Sequence, residues 1–87
     1  METWGVIAQR INKTLQDNGY GHLVTEMTDE YGVGGTPGEM FSIVCVWLAK
    51  LRNSKNAGYG LIKNDADKLL DYAVEINYFT NRELGRL

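Results

Sequence analysis

The segment from Met40 to Leu51 decides what this chain folds into, because it carries the longest unbroken apolar stretch, Ile43 to Ala49, and two physical signals in it disagree. Phe41-Ser-Ile-Val-Cys-Val-Trp47 is rich in β-branched and aromatic residues, which suit a pleated strand. Against this, Thr36-Pro-Gly-Glu39 has the form of a capping box with proline at the first helical position, and Met40, Val44, Trp47, Leu48 and Leu51 recur at helical spacing. A helix here would be apolar nearly all round. Seven poor helix formers in succession cost more than one cap returns, so the strand is the favoured reading.

The flanking segments read more simply. Trp4, Ile7, Ala8, Ile11 and Leu15 lie at helical spacing between Thr3 as N-cap and Asn18-Gly19 as a stop, which predicts a first helix over about residues 3–18. Leu23, Thr25 and Met27 alternate with Val24 and Glu26, predicting a strand within residues 20–31. Gly32 to Gly38 holds four glycines and the only proline, a connecting loop by composition. Beyond a polar loop at 53–58, Tyr59-Gly-Leu-Ile-Lys63 reads as a short third strand, and Asn64 caps a second helix whose buried stripe is Ala66, Leu69, Leu70, Ala73 and Ile76. Eighty-seven residues suffice for one core and not for two, so residues 1–87 form a single domain. The expected fold class is α+β, in the order α-β-β-β-α, with a three-stranded antiparallel sheet and two helices on one face. The alternative is an all-α four-helix bundle, in which Gly19-Tyr20-Gly21 and Gly58-Tyr59-Gly60 are the corners of two αα-hairpins.

That order, with a Gly-Pro loop between the first two strands, resembles the double-stranded RNA-binding domain. Gly35-Thr-Pro-Gly-Glu-Met-Phe41 looks like that family's loop leading to an aromatic residue, and Gly58-Tyr-Gly60 looks like the glycines of its third strand. Lys63-Asn-Asp-Ala66 falls where the family has a basic motif opening its last helix. The resemblance implies contact with an RNA duplex. Of the basic motif, however, only Lys63 and Ala66 agree: Asn64 and Asp67 replace lysines, Asp65 adds a negative charge, and Gly38 stands where the family has a histidine. Carboxylates at those positions oppose phosphate binding.

Catalytic chemistry has little to work with. One histidine, His22, follows a turn, and one cysteine, Cys45, lies in the apolar run, so no nucleophile has a base and an orienting group in view. The lone cysteine also excludes an internal disulfide and a cysteine-based zinc site. Asp65-x-Asp67 with Asp71 has the opening spacing of a calcium loop, but Leu70 and Ile76 occupy the positions that need glycine and glutamate. The Gly32–Gly38 loop ends in Glu39, which would repel a phosphate. The expectation is therefore no catalytic residue, no metal, no cofactor and no small-molecule substrate. Without a basic segment followed by an apolar one at the start, and with no stretch long enough for a bilayer, a cytoplasmic location is expected and no membrane partner.

What remains points to binding. With 9 basic residues against 11 acidic ones, a general nucleic-acid coating is excluded. Lys50, Arg52, Lys55 and Lys63 fall in a stretch, residues 41–63, that contains no acid, and they are the candidate contacts for double-stranded RNA. Asp67, Asp71 and Glu75 lie four apart, forming one acidic ridge able to steer a basic partner. In the strand reading Val44, Val46 and Leu48 form an open apolar sheet face, a protein partner's site or a homodimer seam. The functional expectation is a small non-catalytic protein-interaction module, such as an inhibitor, immunity factor or adaptor, bound through Val44, Val46, Leu48 and the acidic ridge. The alternative is a divergent double-stranded RNA-binding protein.

Overall fold

Residues 2–86 are described by a computed structural model, and every regular element among them is helical. The helices are α1 (Trp4–Asp17), α2 (Gly21–Tyr31), α3 (Pro37–Asn53) and α4 (Tyr59–Glu75). The three-stranded sheet is absent among these residues, and with it the fold that the RNA-binding resemblance implied. The all-α alternative fits.

α1 follows its sequence signals. The Thr3 hydroxyl accepts from the Val6 amide at 3.4 Å, Asn18 is the C-cap, and Ile7, Ile11 and Leu15 are buried.

α3 overturns the central strand. Its cap is real: the Thr36 hydroxyl accepts from the Glu39 amide at 3.1 Å, while the Glu39 carboxylate reaches back past the cap residue to the Gly35 amide at 3.3 Å. The seven poor helix formers lie inside a longer run, with Met40 before them and Leu48, Ala49, Lys50, Leu51 and Arg52 after them, all strong helix formers. Glu39 in the first turn and Lys50 and Arg52 in the last complement the helix dipole. All-round apolarity also has its explanation, because α3 buries Phe41, Val44, Cys45, Trp47, Leu48, Ala49 and Leu51. Such a helix is stable only at the centre of a molecule.

The other two strands are also helix. Tyr20, Leu23, Val24, Met27 and Tyr31 recur at helical spacing and form the inner stripe of α2, with Leu23 buried and the rest half-buried. The segment 59–63 is the first turn of α4, which starts five residues before Asn64 and buries Tyr59 and Ile62 in line with Ala66, Leu69, Leu70 and Ala73. Ile76, expected in that stripe, is instead the C-cap residue and 45% exposed.

α1 packs against α2 and α4, and α3 packs against α4 and, less extensively, α2. Ile11, Leu15, Leu48, Leu69 and Leu70 meet at the centre with essentially no exposure. The radius of gyration, 12.0 Å, is that of a fully condensed chain of this length, about 12 Å. Beyond α4 the chain runs back over the bundle, and Leu84 closes the core at 1% exposure. The Asn53 amide donates to the Leu84 carbonyl at 3.1 Å, and Arg86 pairs with Asp71. No helix among the described residues is long and apolar enough to cross a membrane.

The open apolar face vanishes with the sheet. Val44 and Leu48, one helical turn apart, both point into the core, while Val46 faces the other way and is 39% exposed. They form no common surface.

Candidate functional site

One end of the molecule gathers aromatic side chains from four parts of the chain. Phe41, in the second turn of α3, is buried and serves as their common neighbour. Trp4 from the first turn of α1 approaches it at 5.1 Å between ring centroids, Tyr78 from the segment after α4 at 5.2 Å, and Tyr72 from α4 at 6.0 Å. The two tyrosines meet Phe41 nearly edge-on, at 79° and 75°, the arrangement favoured by ring quadrupoles. Phe79 continues the series at 5.4 Å from Tyr78.

Local chemistry fixes this assembly. The Thr36 cap sets where α3 begins and hence where Phe41 sits. The Tyr78 hydroxyl donates to the Gly38 carbonyl and accepts from the Ser42 hydroxyl, each at 2.9 Å, so the post-helical segment is clasped to the first two turns of α3. Tyr72, Ile76 and Tyr78 nonetheless remain 42%, 45% and 43% exposed. Tyr72, in the last turn of α4, and Ile76, its C-cap residue, are four positions apart and share a side. The result is a fixed apolar surface that water still reaches.

Trp4 separates two clefts at this end. The larger, about 510 Å³, runs between α1 and α4 with Trp4, Ile7, Leu69 and Tyr72 in its walls and Glu2, Lys68 and Glu75 around it. The other, about 390 Å³, is lined by apolar residues of α1, α2 and α3, among them Trp4, Met27, Met40 and Trp47, with Gln9 and Asn12 as its polar groups. Behind the larger cleft, Arg10 binds Asp65 by two hydrogen bonds and also pairs with Glu2. These bonds from Arg10 hold both carboxyls below their ordinary range.

The acidic ridge exists as a row along α4, but it is largely engaged. Asp67 accepts from the Tyr59 hydroxyl at 2.9 Å and from Lys63 at 3.1 Å. Burial pulls its carboxyl upward, and those two bonds together hold it below the usual value. Asp71 is paired with Arg86, and Glu75 has no ion-pair partner among the described residues. Glu75 is also the ridge residue that lines the aromatic end.

The basic group is dispersed. Lys50 reaches Glu30 on α2 at 2.6 Å, and that bond raises its pKa. Arg52, turned about 200° around the helix from Lys50, donates to the Gly85 carbonyl at 3.4 Å. Lys63 is held by Asp67, and Lys55 lies in the turn after α3 with φ 56°. These side chains serve three different contacts and do not converge.

Cys45 is fully buried, and desolvation pushes its thiol up to about 12, far from a thiolate at neutral pH. His22 lies exposed in the first turn of α2.

The aromatic end was not identifiable from sequence. Trp4, Phe41, Tyr72 and Tyr78 are scattered over the chain, and Trp4 has the spacing of an ordinary core residue. The one local signal is Tyr78-Phe79 just past a helix end, two large apolar side chains where a solvated tail would be polar. No protein-family model, no curated protein and no solved structure matches this chain.

Proposed function

We propose that this chain is a small non-catalytic protein-interaction module that docks a larger protein through its aromatic end. The observation that carries this reading is the exposure of Tyr72 and Tyr78, both edge-on to a buried Phe41, and of Ile76 one turn beyond Tyr72. Large rigid side chains already held in place lose little conformational freedom on binding, which is why tyrosine and tryptophan dominate the energetics of protein interfaces. Glu75 supplies a polar rim, and the remainder of the ridge extends along α4 from there. Binding without chemistry is how an inhibitor, an immunity factor or an adaptor acts, by occupying a surface of a larger machine. The dispersed Lys50, Arg52, Lys55 and Lys63 give double-stranded RNA no comparable site, since duplex recognition needs several cations set against phosphates together.

The test is affinity capture from native cell extract with the wild-type chain and with Tyr72→Asp and Ile76→Asp, each variant verified as helical by circular dichroism. A discrete protein recovered by the wild type and lost with both variants supports the reading. Equal recovery by all three chains contradicts it.

A further inference from the structure

The cleft between α1 and α4 combines two features. Its walls are aromatic and apolar, from Trp4, Ile7, Leu69 and Tyr72, and its charged groups are Glu2, Glu75 and Lys68. Glu2 is engaged by Arg10. Lys68 also borders the neighbouring depression that contains Arg10 and Asp65, and its charge lowers the pKa of both Glu2 and Asp65. Glu75 is left as the carboxylate without an ion pair among the described residues, on the same helix as Tyr72 and three residues from it. Residues three apart on a helix are surface neighbours, so a ring and a charge stand side by side.

An aromatic face attracts a cation, and an adjacent carboxylate adds direct charge pairing. Of the cations a protein partner carries, guanidinium fits this combination best: it is flat enough to lie on a ring, weakly hydrated, and able to fork onto a carboxylate. The volume, about 510 Å³, takes a long side chain together with part of the backbone that bears it. We propose that this cleft receives an arginine side chain of the partner protein, its guanidinium against Trp4 and Tyr72 and its charge against Glu75. This rests on the reading of the aromatic end as a partner site, and names what the partner presents there.

The test is an amide- and indole-resolved NMR titration at low salt with capped Gly-Arg-Gly, and with capped Gly-citrulline-Gly, its uncharged near-isostere. The expected result is saturable shifts at the Trp4 indole N–H and at Ile7, Tyr72 and Glu75 with the arginine peptide, and none with citrulline. Glu75→Gln, at an exposed position, is expected to weaken binding by about fivefold, and Tyr72→Leu to weaken it as well with the spectrum otherwise intact. Equal shifts with citrulline, shifts centred on Glu26 and Asp29 of α2, indifference to Glu75→Gln, or no saturable shift at all would each overturn the proposal. The two readings fail separately. Partner capture that is lost with Tyr72→Asp but unaffected by Glu75→Gln and by excess arginine peptide retains the interaction module and removes the arginine; capture indifferent to Tyr72→Asp removes both.

Discussion

Arg10 on α1 and Asp65 on α4 are joined by two hydrogen bonds, Nε to Oδ2 at 2.8 Å and Nη2 to Oδ1 at 2.7 Å, across 55 positions of sequence. The same guanidinium holds Glu2, so one side chain ties the start of α1 to the middle of the bundle and fixes the acidic lip of the aromatic cleft. The pair has a definite pH signature. Arg10 keeps the Asp65 carboxyl below the ordinary aspartate value, so the folded chain binds fewer protons there than the unfolded chain. This contribution is complete above about pH 5 and is lost as pH falls through the lowered folded value. Urea midpoints at pH 6 and pH 3 are expected to drop more for the wild type than for Asp65→Asn, and equal drops would show that the pair carries no such linkage.

Thr36 starts α3, and α3 positions Phe41. Removing the hydroxyl with Thr36→Ala leaves the Glu39 amide without its acceptor and is expected to cost about 1 kcal/mol. Chemical denaturation gives this value directly. A change below a few tenths would mean that Pro37 and burial alone set the helix start.

Two glycines at one corner are expected to respond in opposite directions. Gly58 has helical backbone angles, φ −64° and ψ −26°, but a Cβ there would come within 2.9 Å of Leu23 and 3.1 Å of Tyr20. Gly58→Ala is therefore expected to destabilise by about 1 kcal/mol through overpacking. Gly60, in the first turn of α4, has nothing within 4 Å of the same position, and Gly60→Ala is expected to stabilise by about 0.5 kcal/mol. Thermal midpoints that move the same way for both would contradict the close approach of α2 to this corner.

Leu84 lies outside every helix yet is as buried as the core leucines. Leu84→Ala is expected to cost about 2–4 kcal/mol, the range for a truncated core leucine. Its equilibrium unfolding curve checks this, and a cost under 1 kcal/mol would mean that the terminal segment is not part of the cooperative unit.

Where sequence signals were local and mutually consistent, they were legible. Thr3, Asn18 and the stripe Ile7-Ile11-Leu15 agree on α1, and Ala66-Leu69-Leu70-Ala73 on the body of α4. α3 departs from the strand expectation because propensity summed over the seven residues Phe41 to Trp47 leaves out the helix formers from Leu48 to Arg52, which belong with the Thr36 cap to the same helix. In α2 the alternation of Leu23, Thr25 and Met27 competed with a helical stripe running from Tyr20 to Tyr31, and the stripe matches the burial. The acidic ridge is legible as a row, but the engagement of Asp67 by Tyr59 and Lys63 and of Asp71 by Arg86 depends on side-chain directions and on the path of the terminal segment. The aromatic end requires the bundle itself, since only helix packing brings Trp4 and Tyr72 against Phe41.

The central claim, that the aromatic end is where a partner docks, is tested most directly by site-specific photo-crosslinking. A benzophenone amino acid would replace Tyr72 at that end and, in a second chain, Asp29 on the exposed side of α2. Irradiation in native cell extract is expected to give one adduct of defined mass from position 72 and none from position 29. No adduct from position 72, or the same adduct from both positions, would contradict the account.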